Sequence, residues 1–175
     1  MRLRATPLAG ALLVETDRHG DERGSFYRAF CQKEFHEQGL SVSFVQSNVS
    51  CNRLRGTLRG MHFQAEPRPE AKLVRCIQGR MYDVIVDLRR DSRTFRDWFA
   101  VELAESNALA LYIPSGVAHG FQTLEDNTAI LYQMTEYYVP ELARGVHWHD
   151  PAFGIRWPME VTAISDRDRG FPAFA

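Results

Sequence analysis

Residues 81–88 (MYDVIVDL) alternate strictly: Tyr82, Val84, Val86 and Leu88 share one side of an extended chain, and Asp83, Ile85 and Asp87 share the other. A period of two suits a β-strand and no helix, and it reads here as a half-buried strand. Comparable runs follow at Leu73–Ile77, Trp98–Leu103, Leu109–Ile113 and Thr128–Met134, separated by turn signals at Gln78-Gly79, Asp91-Ser92, Pro114–Gly116 and Glu125–Asn127. Short strands at this spacing, with almost no helix between them, predict an all-β sandwich or barrel. One short helix is expected over Cys31–Gln38, closed by Gly39, a residue suited to the left-handed conformation beyond a helix end.

Length and charge narrow the function. At 175 residues and 45% hydrophobic content, with no internal repeat or low-complexity linker, the chain is expected to form a single domain over 1–175. The 21 basic and 22 acidic residues are interspersed, which argues against a nucleic-acid partner or a membrane-binding patch. An anionic ligand must therefore be held locally. No run reaches the ~18 apolar residues of a membrane span and the first residues do not form a signal peptide, so a cytoplasmic location is expected. Cys31, Cys51 and Cys76 are odd in number and widely spaced, and read as reduced, small packing residues.

The chemistry concentrates in two neighbouring strand-like runs, Leu58–Gln64 (LRGMHFQ) and Lys72–Cys76 (KLVRC). They bring a histidine, a lysine and an arginine together, a proton-transfer site beside an anion site. Alone, a histidine on a strand reads as a hydrogen-bonded rim residue and a lysine as a charged tip snorkelling from an apolar stem. Their company changes that reading.

The motifs GDERG (20–24), FVQ (44–46), LRGMH (58–62), KLVRC (72–76), YDVIVDL (82–88), IPSGVAHGF (113–121), Tyr132 and WHDP (148–151) follow one another in a set order and spacing. In these the chain resembles the sugar-nucleotide 3,5-epimerases typified by dTDP-4-dehydrorhamnose 3,5-epimerase, from about Gly20 to Asp168. The resemblance implies a cupin-like jelly roll with a few short helices. It also implies cofactor-independent, metal-free proton transfer at the carbons flanking the C4 ketone of a nucleotide-linked 4-keto-6-deoxy sugar. His62 matches the family's base, and an imidazole titrates near ~6.5, so much of it can accept a proton at neutral pH. Asp168, rather than its neighbour Asp166, matches the carboxylate that orients this base. Lys72 matches the lysine near the C4 oxygen, where charge accumulates on abstraction. Tyr132 matches the acid on the opposite ring face.

For substrate binding, the resemblance assigns Arg23 and Arg59 to the diphosphate, Gln46 and Asn48 to the nucleotide strand, Phe26 to an aromatic surface and His119 to the pocket. It departs from the family's pattern at Ser47 and Val49, where Asp and His are common, and at Arg28, where many members are acidic. Arg28 either redirects recognition of base, sugar or phosphate or lies exposed. Tyr137 and Tyr138 read as packing or pocket-wall residues, and His147 and His149 as part of an exposed strand or loop. The family also implies a homodimer with exchanged N-terminal strands. Three other readings stay open: an epimerase inverting only C3 or C5 of a GDP- or CDP-linked sugar, a non-catalytic sugar-binding protein, and a metal-dependent cupin ligated by His62 and His119.

Overall fold

The computed structural model describes residues 1–174. Thirteen strands are present among them: β1 (Arg2–Ala5), β2 (Leu12–Glu15), β3 (Arg18–Asp21), β4 (Gly24–Tyr27), β5 (Gln46–Asn52), β6 (Leu58–Gln64), β7 (Lys72–Gln78), β8 (Arg80–Asp87), β9 (Trp98–Ala104), β10 (Ala110–Ile113), β11 (Val117–Thr123), β12 (Thr128–Met134) and β13 (Ala143–Gly145). Two short α-helices, α1 (Gln32–Glu37) and α2 (Asp166–Arg169), and a single 3-10 turn, Pro140–Leu142, complete the set. The strands form a six-stranded sheet in the order β1-β2-β10-β7-β12-β5, a five-stranded sheet in the order β13-β6-β11-β8-β9, and the separate β3–β4 hairpin. All their pairings are antiparallel. Because most neighbours in the large sheets come from distant parts of the chain, the topology is that of the expected jelly-roll sandwich.

Between the sheets, Val74, Cys76, Leu111, Ile113 and Ile130 from one side meet Met81, Ile85, Leu103, Val117 and Phe121 from the other. This inner layer is what the alternating sequence encodes. The outer faces are also covered. Phe35 of α1, Val42 and the half-buried Phe30 and Phe44 cover Val14, Leu73 and Tyr112 on the six-stranded sheet. Val146, Phe153 and Ile155 cover Val84, Val86 and Ala118 on the five-stranded sheet.

That second covering corrects the half-buried reading of residues 81–88. In β8 every residue from Asp83 to Asp87 is buried, because the C-terminal segment covers Val84 and Val86 on one side, while the side that carries Asp83, Ile85 and Asp87 faces the layer between the sheets. Asp87 is accommodated there by local donors: Arg89 donates from its backbone and guanidinium, and Ser92 and Thr94 donate their hydroxyls. Burial alone would raise the carboxyl pKa, but these hydrogen bonds outweigh it and draw it down to about 2.

The helix spans Gln32–Glu37 within the expected Cys31–Gln38, with Gly39 beyond it at φ +82°. Among the described residues no helix is long and apolar enough to cross a membrane.

Candidate active site

Where the two sheets face each other, a cavity of about 150 Å³ is lined by Asn48, His62, Phe63, Gln64, Glu70, Lys72, Tyr132, Met134, Tyr138, Ala143, Arg144 and Arg167. His62 comes from β6 in one sheet, whereas Lys72, Tyr132 and Asn48 come from β7, β12 and β5 in the other. A ring entering the cavity therefore meets the histidine and the tyrosine from opposite sheets.

Asp168 stands in α2, and its Oδ1 lies 2.7 Å from His62 Nε2. Its Oδ2 accepts from the Gly60 backbone N–H at 3.1 Å, and its own N–H is capped by Ser165 Oγ at 3.1 Å. Desolvation of this buried carboxyl acts to raise its pKa, but the bond from His62 and then that from Gly60 prevail and hold it below the ordinary value. An ionised carboxylate only accepts, so His62 carries a proton on Nε2, and in the neutral ring the lone pair then sits on Nδ1. Asp166 is exposed, and among the described residues it forms no hydrogen bond or ion pair with His62.

Local backbone sets this geometry. Gly60 has φ +133°, and a Cβ there would stand 2.5 Å from Gly120 Cα, so only glycine lets β6 and β11 approach beside the histidine. Gly145 on β13 leaves room for the Phe171 ring, since a Cβ would fall 2.3 Å from that ring; Phe171 in turn meets the His62 imidazole edge-on at 5.7 Å.

Lys72 Nζ lies 3.1 Å from Glu70 Oε1, and both side chains are almost wholly buried. Tyr132 is half-buried on the cavity wall.

The other expected binding residues are distributed differently. Asn48 lines the cavity, whereas Gln46 is not among its lining residues and its Oε1 accepts from the backbone N–H of Tyr138, which is. Arg59 is exposed on β6 and donates to Asn52 Oδ1 at 2.8 Å. His119 does not line the cavity: its Nε2 is bonded at 2.7 Å to Asp83 Oδ1, although its residue is the β-partner of His62.

Arg23 and Phe26 are not brought to the cavity of their own chain. Both sit on the β3–β4 hairpin, where Arg23 pairs with Asp21 and Phe26 is 74% exposed. Arg28 is bound to Glu34 at the surface. His147 accepts from the His149 backbone in an irregular segment after β13, and Tyr138 is the pocket-wall tyrosine, whereas Tyr137 lies outside the lining.

Three charged cavity residues carried no sequence signal: Glu70, Arg144 and Arg167. Arg144 and Arg167 are exposed and form no ion pair among the described residues: Arg144 donates to the Glu141 and Ala143 carbonyls, and Arg167 lies over the Phe171 ring, so both bring uncompensated positive charge to the mouth. Only the fold brings these positions, some 70 to 100 residues apart from Glu70, to one opening.

A family model described as dTDP-4-dehydrorhamnose 3,5-epimerase matches residues 5–175. The enzyme of that name from Methanothermobacter thermautotrophicus is 45% identical, over 97% of this chain and 92% of its own. A dTDP-4-dehydrorhamnose 3,5-epimerase from Bacillus anthracis, solved with TDP and pyrophosphate, superposes with a TM-score of 0.96 at 41% identity and 99% coverage of both chains. The Legionella pneumophila dTDP-6-deoxy-D-glucose-3,5-epimerase, solved with dTDP-4-keto-L-rhamnose, gives 0.90 at 37% identity, over 95% of this chain and 89% of that one.

Proposed function

The chain belongs to the dTDP-4-dehydrorhamnose 3,5-epimerase family, and we propose that its His62, Asp168, Lys72 and Tyr132 invert C3 and C5 of a dTDP-linked 4-keto-6-deoxy sugar. It is an isomerase acting on a nucleotide sugar. Hydrogens on C3 and C5 are acidified by the C4 ketone, and inversion needs a base on one ring face and an acid on the other.

His62 is the base, acting through Nδ1, with Asp168 fixing the tautomer and stabilising the imidazolium after abstraction. Lys72 stabilises the enolate oxygen, an effect that grows as charge moves from carbon to oxygen. Tyr132 returns a proton from the opposite side. The observation that carries this reading is the convergence of His62 and Tyr132 from facing sheets on one small cavity.

The cavity accommodates a sugar but not a whole nucleotide sugar, so the diphosphate and base must lie outside it, past the lining residues Asn48, Arg144 and Arg167, with Gln46 and Arg59 as the further contacts that the family resemblance assigns. The β3–β4 hairpin is exposed along almost its whole length and carries Arg23 and Phe26, a cation and a ring suited to a phosphate and a base. We infer a homodimer in which each hairpin serves the other subunit's nucleotide site. Mixing His62→Ala with an Arg23→Ala/Phe26→Ala double variant tests this: random exchange restores one sound site in half of the dimers, about a quarter of wild-type activity. No recovery after verified subunit exchange would rule the arrangement out.

Catalysis is tested by proton NMR in D2O with dTDP-4-keto-6-deoxyglucose and its GDP and CDP analogues. Deuterium is expected at both C3 and C5 of the dTDP sugar and at neither with His62→Ala. Exchange at one centre alone would make the protein a single-centre epimerase, and exchange with none of the three would reject the substrate.

A further inference from the structure

Glu70 stands apart from the rest of the cavity. It lies on the loop leading into β7, its side chain is only 8% exposed, and its two oxygens have different fates. Oε1 is 3.1 Å from Lys72 Nζ. Oε2 is buried and has no hydrogen-bond partner among the described residues, although Glu70 lines the cavity with His62 and Tyr132. A buried carboxylate oxygen left without a donor is costly, and such an oxygen on a binding cavity is a site prepared for a donor that arrives with the ligand.

The identity of that donor follows from chemistry, on the reading above that Lys72 faces the C4 oxygen. A carboxylate only accepts, so it needs an O–H or N–H. Of the two carbons flanking C4 in a 4-keto-6-deoxy hexose, C5 bears a methyl group and the ring ether oxygen, neither of which donates. C3 bears a hydroxyl. We propose that Glu70 is a substrate-positioning residue whose Oε1 fixes the Lys72 ammonium while Oε2 accepts the hydrogen bond of the sugar's C3 hydroxyl.

One carboxylate then ties together the ketone's electrophilic partner and the substituent on the carbon that inverts. Inversion at C3 swings the hydroxyl to the other side of the ring, so Glu70 holds the two C3 epimers unequally. It is a specificity determinant for C3, with no such contact at C5.

The test compares Glu70→Ala and Glu70→Gln with wild type on two substrates, dTDP-4-keto-6-deoxyglucose and its 3-deoxy analogue, following deuterium entry at C5. Loss of a hydrogen bond to a charged group predicts that Glu70→Ala lowers kcat/KM on the parent sugar by roughly 10–100-fold more than on the 3-deoxy analogue. The ratio of C3 to C5 exchange on the parent should also shift. Glu70→Gln keeps the shape and an oxygen for Lys72 but not the anionic acceptor, and should show the same pattern with a smaller loss. Equal losses on both sugars with an unchanged C3 to C5 ratio would overturn the role of Glu70 alone. Wild-type protein that exchanges no deuterium into the parent sugar would overturn the epimerase reading, and this inference with it.

Discussion

Two histidine–aspartate pairs lie side by side in this molecule, and they have the same bond and different surroundings. In each, Nε2 of the imidazole is 2.7 Å from Oδ1 of the carboxylate, and the two histidines are β-partners on β6 and β11. The His62 side chain is 39% exposed and lines the cavity, whereas that of His119 is 10% exposed and does not. Asp168 reaches its histidine from a terminal helix and has its second oxygen satisfied by Gly60; Asp83 comes from the neighbouring strand and its Oδ2 has no partner among the described residues. On the proposed mechanism, an oriented, hydrogen-bonded imidazole is not sufficient for catalysis. Access of its free nitrogen to a substrate decides.

The difference predicts opposite phenotypes. His62→Gln should lower kcat by roughly 10³–10⁴-fold, near the upper range for a general base, while leaving thermal unfolding nearly unchanged because the ring is partly solvated. The matched variant His119→Gln should lose less than about 10-fold in kcat, and equal losses would erase the distinction. Asp168→Asn is the next largest: the amide stabilises the wrong tautomer and no imidazolium, so a loss of roughly 10²–10³-fold in kcat is expected with little change in KM. Asp83→Asn should instead appear in stability, with about 1–3 kcal/mol lost in urea unfolding as a buried bond is disturbed.

The smallest effect concerns acid. Asp87 titrates at about 2 in the fold against 3.8 for an unperturbed carboxyl, so the folded state favours its ionised form. The stability this confers is fully present above pH 3.8 and is lost as the pH falls through about 2. Melting temperatures recorded across that window should fall more steeply for the wild type than for Asp87→Asn. Parallel curves would show that other carboxylates dominate the acid limb. Asp168, whose pKa is also lowered, contributes with the same sign.

Much of the fold was legible because its strands alternate. The runs at 73–77, 98–103, 109–113 and 128–134 are the cores of β7, β9, β10 and β12, with shifts of a residue or so at their ends. The short strands β1 to β4 and β13 left little trace, since four exposed residues such as RHGD carry no apolar period. In the site, His62, Lys72, Tyr132 and Asp168 were visible as motif positions, and they meet as neighbours or lining residues of one cavity. Glu70, Arg144 and Arg167 were not visible, because a charged residue in a loop, near a strand end or on a helical turn has the same local signature whether it faces solvent or a ligand.

The sequence by itself determined that this chain is an all-β sandwich and which side chains are fit to move a proton, because backbone pleat and side-chain chemistry are local properties. The tertiary structure alone decided that β8 is buried on both faces, that His62 is the accessible histidine and His119 the enclosed one, and that Glu70 has one oxygen on Lys72 and one without a partner. Each of these depends on what a distant segment covers or leaves open, and burial is a relation between parts of the chain that no local pattern records.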